Sequence, residues 1–312
     1  MWWPRPGERE RVDNCVLAGC YCSGARPSCC STPRLSHLSH SSTICLLRSG
    51  GCFKLSKGIA QLMNRSPLKF FLLVFALSIP FWLMQPRDWP ISASVGAPLL
   101  AALILVYREE GGGPGVRRIL SRVFDQWRIR NKIWYVPIIY LMPLIYLLTY
   151  LVMCLMGLPF PDEPYFPFLL IPLLFVLFFI FAIGEEVGWT GYVTDPMQER
   201  WSALTSSIIL GLVTAIWHSV PLIQMGRTPT WIAWWALSSV SIRILTVWVY
   251  NNTRRSLFAA ILFHAMYNLS FALFPNYGSH WNPAVAGVIT AIAAVIVTFL
   301  WGPRTLARYR YA

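Results

Sequence analysis

Charged residues are scarce in this sequence, and acidic residues are the scarcest of them. Only 12% of the 312 residues are charged, with 13 acidic against 26 basic side chains, whereas 56% are hydrophobic. An ordinary soluble domain has about 25% charged residues. The shortage excludes a typical soluble globular protein and predicts a polytopic membrane protein, an all-α bundle of transmembrane helices.

Eight segments are apolar enough to be candidate spans, each close to the roughly 20 residues that a bilayer requires. They are residues 68–84, 91–107, 133–157, 167–189, 203–223, 230–250, 256–274 and 283–302. Basic residues collect in alternate connections, above all in residues 108–132, while the other connections carry few. Positive charge marks cytoplasmic loops. We therefore expect a multi-pass protein of the cell membrane with both termini in the cytoplasm, and the net charge of +13 does not indicate nucleic-acid binding.

Residues 1–62 lack a sustained apolar period and lack recognised metal-binding spacings. They contain seven of the eight cysteines, Cys15, Cys20, Cys22, Cys29, Cys30, Cys45 and Cys52. No two of these have the C-x2-C spacing that is typical of zinc or iron–sulfur ligands. We expect a disordered extension here and regard Met63, which precedes a basic and then apolar stretch, as an alternative start. The membrane domain is then residues 63–312, with its core at about 167–274.

Two adjacent glutamates, Glu185 and Glu186, follow a run without any ionisable group, residues 167–183. An ionised carboxylate at mid-depth costs about 2.5 to 3.5 kcal/mol, and such residues usually face a bundle interior or a wet cavity and carry function. The pair therefore predicts a functional site. The alternative is a glutamate pair at the cytoplasmic interface.

Polar side chains also occur in the fifth and seventh predicted spans. Trp-His-x-x-Pro places His218 in the fifth span, and His264 and Asn268 lie four residues apart in the seventh, hence on one helical face. A carboxylate beside an imidazole can take a proton from water, and a His/Asn pair offers donors to an oxyanion. The alternative is that these groups only form hydrogen bonds between helices.

Glu-Glu, then Trp-His-x-x-Pro, then His-x-x-x-Asn, in this order, resembles the CPBP family of CAAX proteases and bacteriocin-processing proteins, also called the Abi family. The resemblance spans the membrane domain. It implies a glutamic intramembrane endopeptidase that acts on a membrane-associated peptide or protein at the cytoplasmic side. From the carboxylate pair and the His/Asn face, without a recognised zinc signature, we expect no metal or other cofactor. The resemblance further implies that Glu185 and His218 activate the attacking water and that Glu186 supports them. His264 and Asn268 would form the oxyanion site.

Thr190 departs from the family's first motif, which reads Glu-Glu-x-x-x-Arg. A threonine can orient a carboxylate by hydrogen bonding but cannot offset its charge. Arg243, well inside the sixth predicted span, is our candidate for the missing cation. Its alternative role is to extend its side chain towards the cytoplasmic end of the helix. Trp189, which continues the helix of the glutamates, completes the supporting residues.

Two further classes of function stay open from the residues alone. Two histidines and a glutamate also suit zinc with an open water position, although no H-E-x-x-H is present. A non-catalytic immunity, scaffold or transport protein would use the same polar residues to bind helices or a ligand. Nothing in the sequence names a substrate.

Overall fold

A computed structural model describes residues 45–48, 51–54, 65–84 and 93–307. An antiparallel hairpin joins β1 (Cys45–Arg48) to β2 (Gly51–Lys54), with Cys45 opposite Lys54. The rest of the segment for which we expect disorder lies outside the described residues, so both that expectation and the alternative start stay predictions.

The described chain from residue 65 onward is helical, which confirms the all-α class. The α-helices are α1 (Pro67–Met84), α2 (Ala97–Glu109), α3 (Gly113–Leu120), α4 (Tyr135–Leu155), α5 (Ile171–Gly188), α6 (Asp195–Arg200), α7 (Ala203–Gln224), α8 (Pro229–Asn252), α9 (Leu257–Ala272) and α10 (Pro283–Trp301). Short 3-10 turns lie at Ala93–Gly96, Ser121–Phe124, Gln126–Arg128, Lys132–Trp134 and Phe168–Leu170. A turn at Pro275–Gly278 connects α9 to α10.

Six helical segments of the described chain are long and apolar enough to cross a membrane, fewer than the eight spans that the sequence suggests. The other two expected spans correspond to α2, of 13 residues, and α9, of 16. At 1.5 Å per residue these helices are about 20 and 24 Å long, less than the roughly 30 Å of the hydrocarbon core. The multi-pass membrane architecture is confirmed, with six candidate spans among the described residues.

The helix α9 is central to the packing. It contacts α5 and α4 on two sides and also touches α8, while α8 packs against both α7 and α10. Ten of its 16 residues are buried. A helix surrounded by other helices does not have to match the bilayer thickness, which explains how a short helix occupies this position.

Two glycines fix the orientation of α5. A Cβ added at Gly188 would lie 2.5 Å from the carbonyl oxygen of Pro98, and one at Gly184 would lie 2.9 Å from that of Val95. Glycines four residues apart share one helical face, and here that face lies directly against the start of α2. Glu186 therefore points away from α2, and Glu185 lies about 100° from it around the helix axis.

A π-helical turn, Trp189–Thr194, directly follows α5 and begins three residues after Glu186. Within it the Thr194 hydroxyl donates a hydrogen bond to the carbonyl of Trp189, five residues earlier, at 2.7 Å. Such wide turns interrupt α-helices mostly as single turns and frequently occur at functional sites. The chain then continues as α6.

The end of this turn leaves two carbonyl groups to be satisfied from outside the helix. Pro196 has no backbone N–H and so cannot donate to Tyr192 in an α-helical pattern or to Gly191 in a π-helical one. Instead the Arg65 guanidinium donates to both carbonyls, at 3.1 and 3.0 Å, and Arg122 donates to that of Gly191 at 3.2 Å. Two arginines thus supply the hydrogen bonds that Pro196 cannot donate to the carbonyls of Gly191 and Tyr192.

Candidate active site

A cavity of about 180 Å³ lies between α5, α7, α8 and α9. Six of the eight side chains that the sequence suggested as a site line it: Glu185, Glu186, His218, Arg243, His264 and Asn268. They come from four helices that are distant in sequence. The fold therefore brings the three parts of the motif to one place.

Glu186 is fully buried, and several donors hold its carboxylate. Arg243 donates from both terminal nitrogens, Nη1 to Oε2 at 2.9 Å and Nη2 to Oε1 at 3.1 Å. The Thr190 hydroxyl donates to Oε2, and Nδ1 of His264 lies 2.8 Å from Oε1. A bidentate arginine fixes both the charge and the orientation of a carboxylate. Glu186 has little capacity left for a reaction.

Glu185 has a different environment, although it is only 5% exposed. Its nearest ionisable partner is His218, whose Nε2 lies 3.9 Å from Oε2. No described residue donates a hydrogen bond to this carboxylate. A separation longer than a hydrogen bond, between two groups that line a cavity, leaves room for a bridging water.

The orientation of His218 is set by its own helix. Its Nδ1 lies 2.8 Å from the carbonyl of Thr214, which can only accept, so Nδ1 carries a hydrogen. In the neutral imidazole, Nε2 is then an acceptor that faces Glu185. The rings of Trp217 and Trp235 lie 4.5 and 5.2 Å from the imidazole ring and restrict its rotation.

His264 and Asn268 line the cavity from α9, one helical turn apart. His264 is tied to Glu186 through Nδ1, so its Nε2 is directed elsewhere. The Asn268 side chain forms no hydrogen bond with any residue in the described part of the chain. Both side chains therefore offer polar atoms that are not used by the fold.

The two supporting residues at the end of the motif have different positions. Thr190 is fully buried against Glu186. Trp189 is also fully buried, but it does not line the cavity and instead packs its ring 5.9 Å from that of Trp217. Trp189 thus packs against Trp217, the residue before His218, and supports α7 without lining the cavity.

Sequence reasoning missed several residues of the cavity wall. Tyr267 lies between His264 and Asn268 in the chain, and its hydroxyl interacts with Trp235. Trp235 and Ser239 share one face of α8 with Arg243, since they are spaced four residues apart. The four-residue spacing before Arg243 is the sequence pattern that could have identified Trp235 and Ser239 as cavity residues. Tyr267 had none beyond its place inside the third motif.

No group of three His, Cys, Asp or Glu side chains in the described residues is arranged to hold a metal ion. The carboxylate of Glu186 is committed to Arg243 and Thr190, and His264 points one nitrogen at the same carboxylate. The described groups therefore do not form the set of three protein ligands with an open position that a catalytic zinc requires.

Comparisons with known proteins address the same region. Residues 167–270 match the family model described as type II CAAX prenyl endopeptidase Rce1-like, and this segment contains every site residue named above. A protein of Methanococcus maripaludis called CAAX prenyl protease 2 is 28% identical over 218 residues, which are 65% of this chain and 78% of that protein. Such proteases act on membrane-associated proteins within the bilayer. Both comparisons support membership of the CPBP family and a membrane endopeptidase of the CAAX type for this chain.

Proposed function

We propose that the chain hydrolyses a peptide bond with a water molecule held between Glu185 and His218. The observation that supports this most directly is the gap of 3.9 Å between Oε2 of Glu185 and Nε2 of His218, both of which act as acceptors. A water between two acceptors donates one hydrogen to each. Its oxygen lone pair then points towards the cavity, where a substrate carbonyl would lie.

The reaction needs one proton to be stored and returned. As the water oxygen attacks the carbonyl carbon, Glu185 accepts a proton from the water and the carbonyl oxygen becomes an oxyanion. When the tetrahedral intermediate collapses, the C–N bond breaks and the same proton passes from Glu185 to the leaving amine. His218 orients the water and shares its second hydrogen, so the products are a carboxylic acid and an amine without any other reactant.

The oxyanion is stabilised by His264 and Asn268. The Asn268 amide has two N–H donors that the described fold does not use. His264 donates Nδ1–H to Glu186, so a second donation from Nε2 requires the imidazolium form. Two glutamates, Arg243 and an imidazolium sum to zero net charge, which makes that form compatible with a buried site.

The substrate is proposed by analogy with the relative's name to be a protein that ends in a CAAX sequence. Whether it carries a prenyl group is part of the test. Purified protein in lipid vesicles is offered a fluorogenic peptide that ends in Cys-a-a-X, either S-farnesylated or unmodified. We expect cleavage of at least the farnesylated peptide, and a loss of about 10²- to 10⁴-fold on Glu185→Gln.

Two controls accompany this assay. Arg130→Ala changes an exposed residue and should leave the rate unchanged. EDTA should also leave it unchanged, because the proposed groups act without a metal. A Glu185→Gln variant that retains the wild-type rate overturns the proposal. If chelation inactivates the protein reversibly and the protein contains stoichiometric zinc, the mechanism is that of a metalloprotease instead.

We further propose that both termini and the loop 108–132 face the cytoplasm, because this loop carries most of the arginines in the connections. Gly113 is exposed and a Cβ there meets no atom, so Gly113→Cys is tolerated. In a background with all eight native cysteines replaced, an impermeant maleimide should label Gly113→Cys only after cell lysis. Asp162→Cys, in the connection before α5, is the matched control and should react in intact cells. The opposite pattern reverses the orientation.

A further inference from the structure

Thr190 and Arg243 share one carboxylate. The Thr190 hydroxyl and Nη1 of Arg243 both donate to Oε2 of Glu186, and Nη1 also lies 3.4 Å from the hydroxyl. The side chain at position 190, one turn after Glu186, therefore borders the guanidinium. A cation placed at position 190 would occupy the neighbourhood that Arg243 occupies from α8.

The site needs such a cation. Glu185 and Glu186 are consecutive and both at most 5% exposed, and like charges that are close together in a poorly solvated place disfavour each other's ionised form. Arg243 is the one Lys or Arg among the described residues that line the cavity. It is itself only 6% exposed, so water does little to weaken the pair.

We propose that Arg243 is a positioning residue for the hydrolysis, and that α8 supplies the guanidinium for the glutamate motif in place of residue 190. Arg243 touches Glu186 and not the proposed water or oxyanion groups. Its effect passes through Glu186, whose Oε1 receives both Nη2 of Arg243 and Nδ1 of His264. The inference rests on the proposed function, because the group it positions is the proposed oxyanion donor.

The contacts predict how the effect divides between binding and turnover. Loss of Arg243 leaves Glu186 held by the Thr190 hydroxyl at Oε2, without the bidentate partner that also fixes Oε1, and the His264 ring is then less firmly oriented. The donor is needed only when the oxyanion forms, so kcat should fall while KM changes little. Partners that orient a catalytic group through a second residue typically contribute about 10- to 100-fold.

The experiment compares four variants with the wild type in the vesicle assay with the farnesylated peptide. Arg243→Ala should lower kcat by about 10- to 100-fold, and Arg130→Ala should not. Thr190→Arg alone adds a large cation to a fully buried position and should also reduce activity. Thr190→Arg combined with Arg243→Ala has one guanidinium beside Glu186 again and should be more active than either single variant.

The double variant decides the question. Recovery of activity above both single variants supports the positioning role, because a merely structural role would add the two losses. An Arg243→Ala variant with wild-type kcat overturns the inference, and so does a double variant that is no better than Arg243→Ala. If Arg243→Ala does not fold, the double variant must still fold and cleave, and its failure to do so is counted against the inference.

Failure of the inference is separable from failure of the proposed function. A wild-type protein whose cleavage does not depend on Glu185 refutes the function. Thermal melting of the same four variants then still measures the contact: Thr190→Arg should raise the melting temperature in the Arg243→Ala background and lower it in the wild-type background. Equal shifts in both backgrounds overturn the shared guanidinium site.

Discussion

Glu185 and Glu186 are neighbours in the chain with opposite surroundings. Glu186 is bound by Arg243, Thr190 and His264, whereas Glu185 faces one imidazole at 3.9 Å and receives no hydrogen bond from the described residues. Two carboxylates of the same type can take separate roles when their environments differ. Consecutive helical residues point about 100° apart, so the two side chains meet different neighbouring helices.

The difference separates reactivity from stability. A carboxylate that keeps its oxygen lone pairs unoccupied can accept a proton during a reaction, while one that is saturated by donors holds its neighbours in place. Removing one partner of a buried ion pair leaves an uncompensated charge, which is strongly destabilising. Changes around Glu185 should therefore affect turnover, and changes at Glu186 should affect folding as well.

The largest effect that tests this comparison is expected from His218→Ala. It removes the second acceptor of the proposed water, and general-base partners contribute about 10²- to 10⁴-fold to rates. Adding Glu185→Gln should cost little more, because groups that act as a unit are not additive. The cleavage rate of the farnesylated peptide measures both. A double variant whose loss equals the product of the two single losses would show that the residues act independently.

A smaller but complementary effect is expected from Glu186→Ala. It leaves Arg243 buried without its carboxylate, at a cost of about 3 to 5 kcal/mol in the free energy of unfolding. Glu185→Ala is the matched control and should leave that free energy nearly unchanged, because its carboxylate has no donor to lose among the described residues. Denaturant unfolding in detergent measures both. Equal destabilisation by the two variants would remove the distinction between the glutamates.

Much of the candidate site follows from motif spacing. His264 and Asn268 had to share a face because they are four residues apart, and an isolated carboxylate pair after an uncharged run had to be placed in the interior. The resemblance implies different roles for Glu185 and Glu186, but which of the two receives the hydrogen bonds could not be predicted from the residues, because it depends on which helices lie on either side of α5. Tertiary packing determines those neighbours, and adjacent residues in the sequence carry no sign of them.

The number of spans shows a second limit of pattern reading. Apolar windows identify α9 as membrane-embedded, and they cannot tell a helix that meets lipid at both ends from one enclosed by other helices. The short length of α9 is set by Ser256, which caps its first turn by accepting from Ala259, and by the turn at Pro275–Gly278 that follows it. Hydropathy averaged over a window of residues does not detect either the cap or the turn.

The π-helical turn beneath the glutamates gives one charged loop residue two successive tasks. In the proposed orientation, the positive charge of Arg122 counts among the signals that keep the 108–132 loop in the cytoplasm during membrane insertion. In the folded protein, the same guanidinium shares with Arg65 the Gly191 carbonyl, to which Pro196 cannot donate. One side chain thus serves both membrane insertion and the hydrogen bonding of the folded backbone. Its replacement by lysine would keep the positive charge but lose the planar guanidinium, which has several donors.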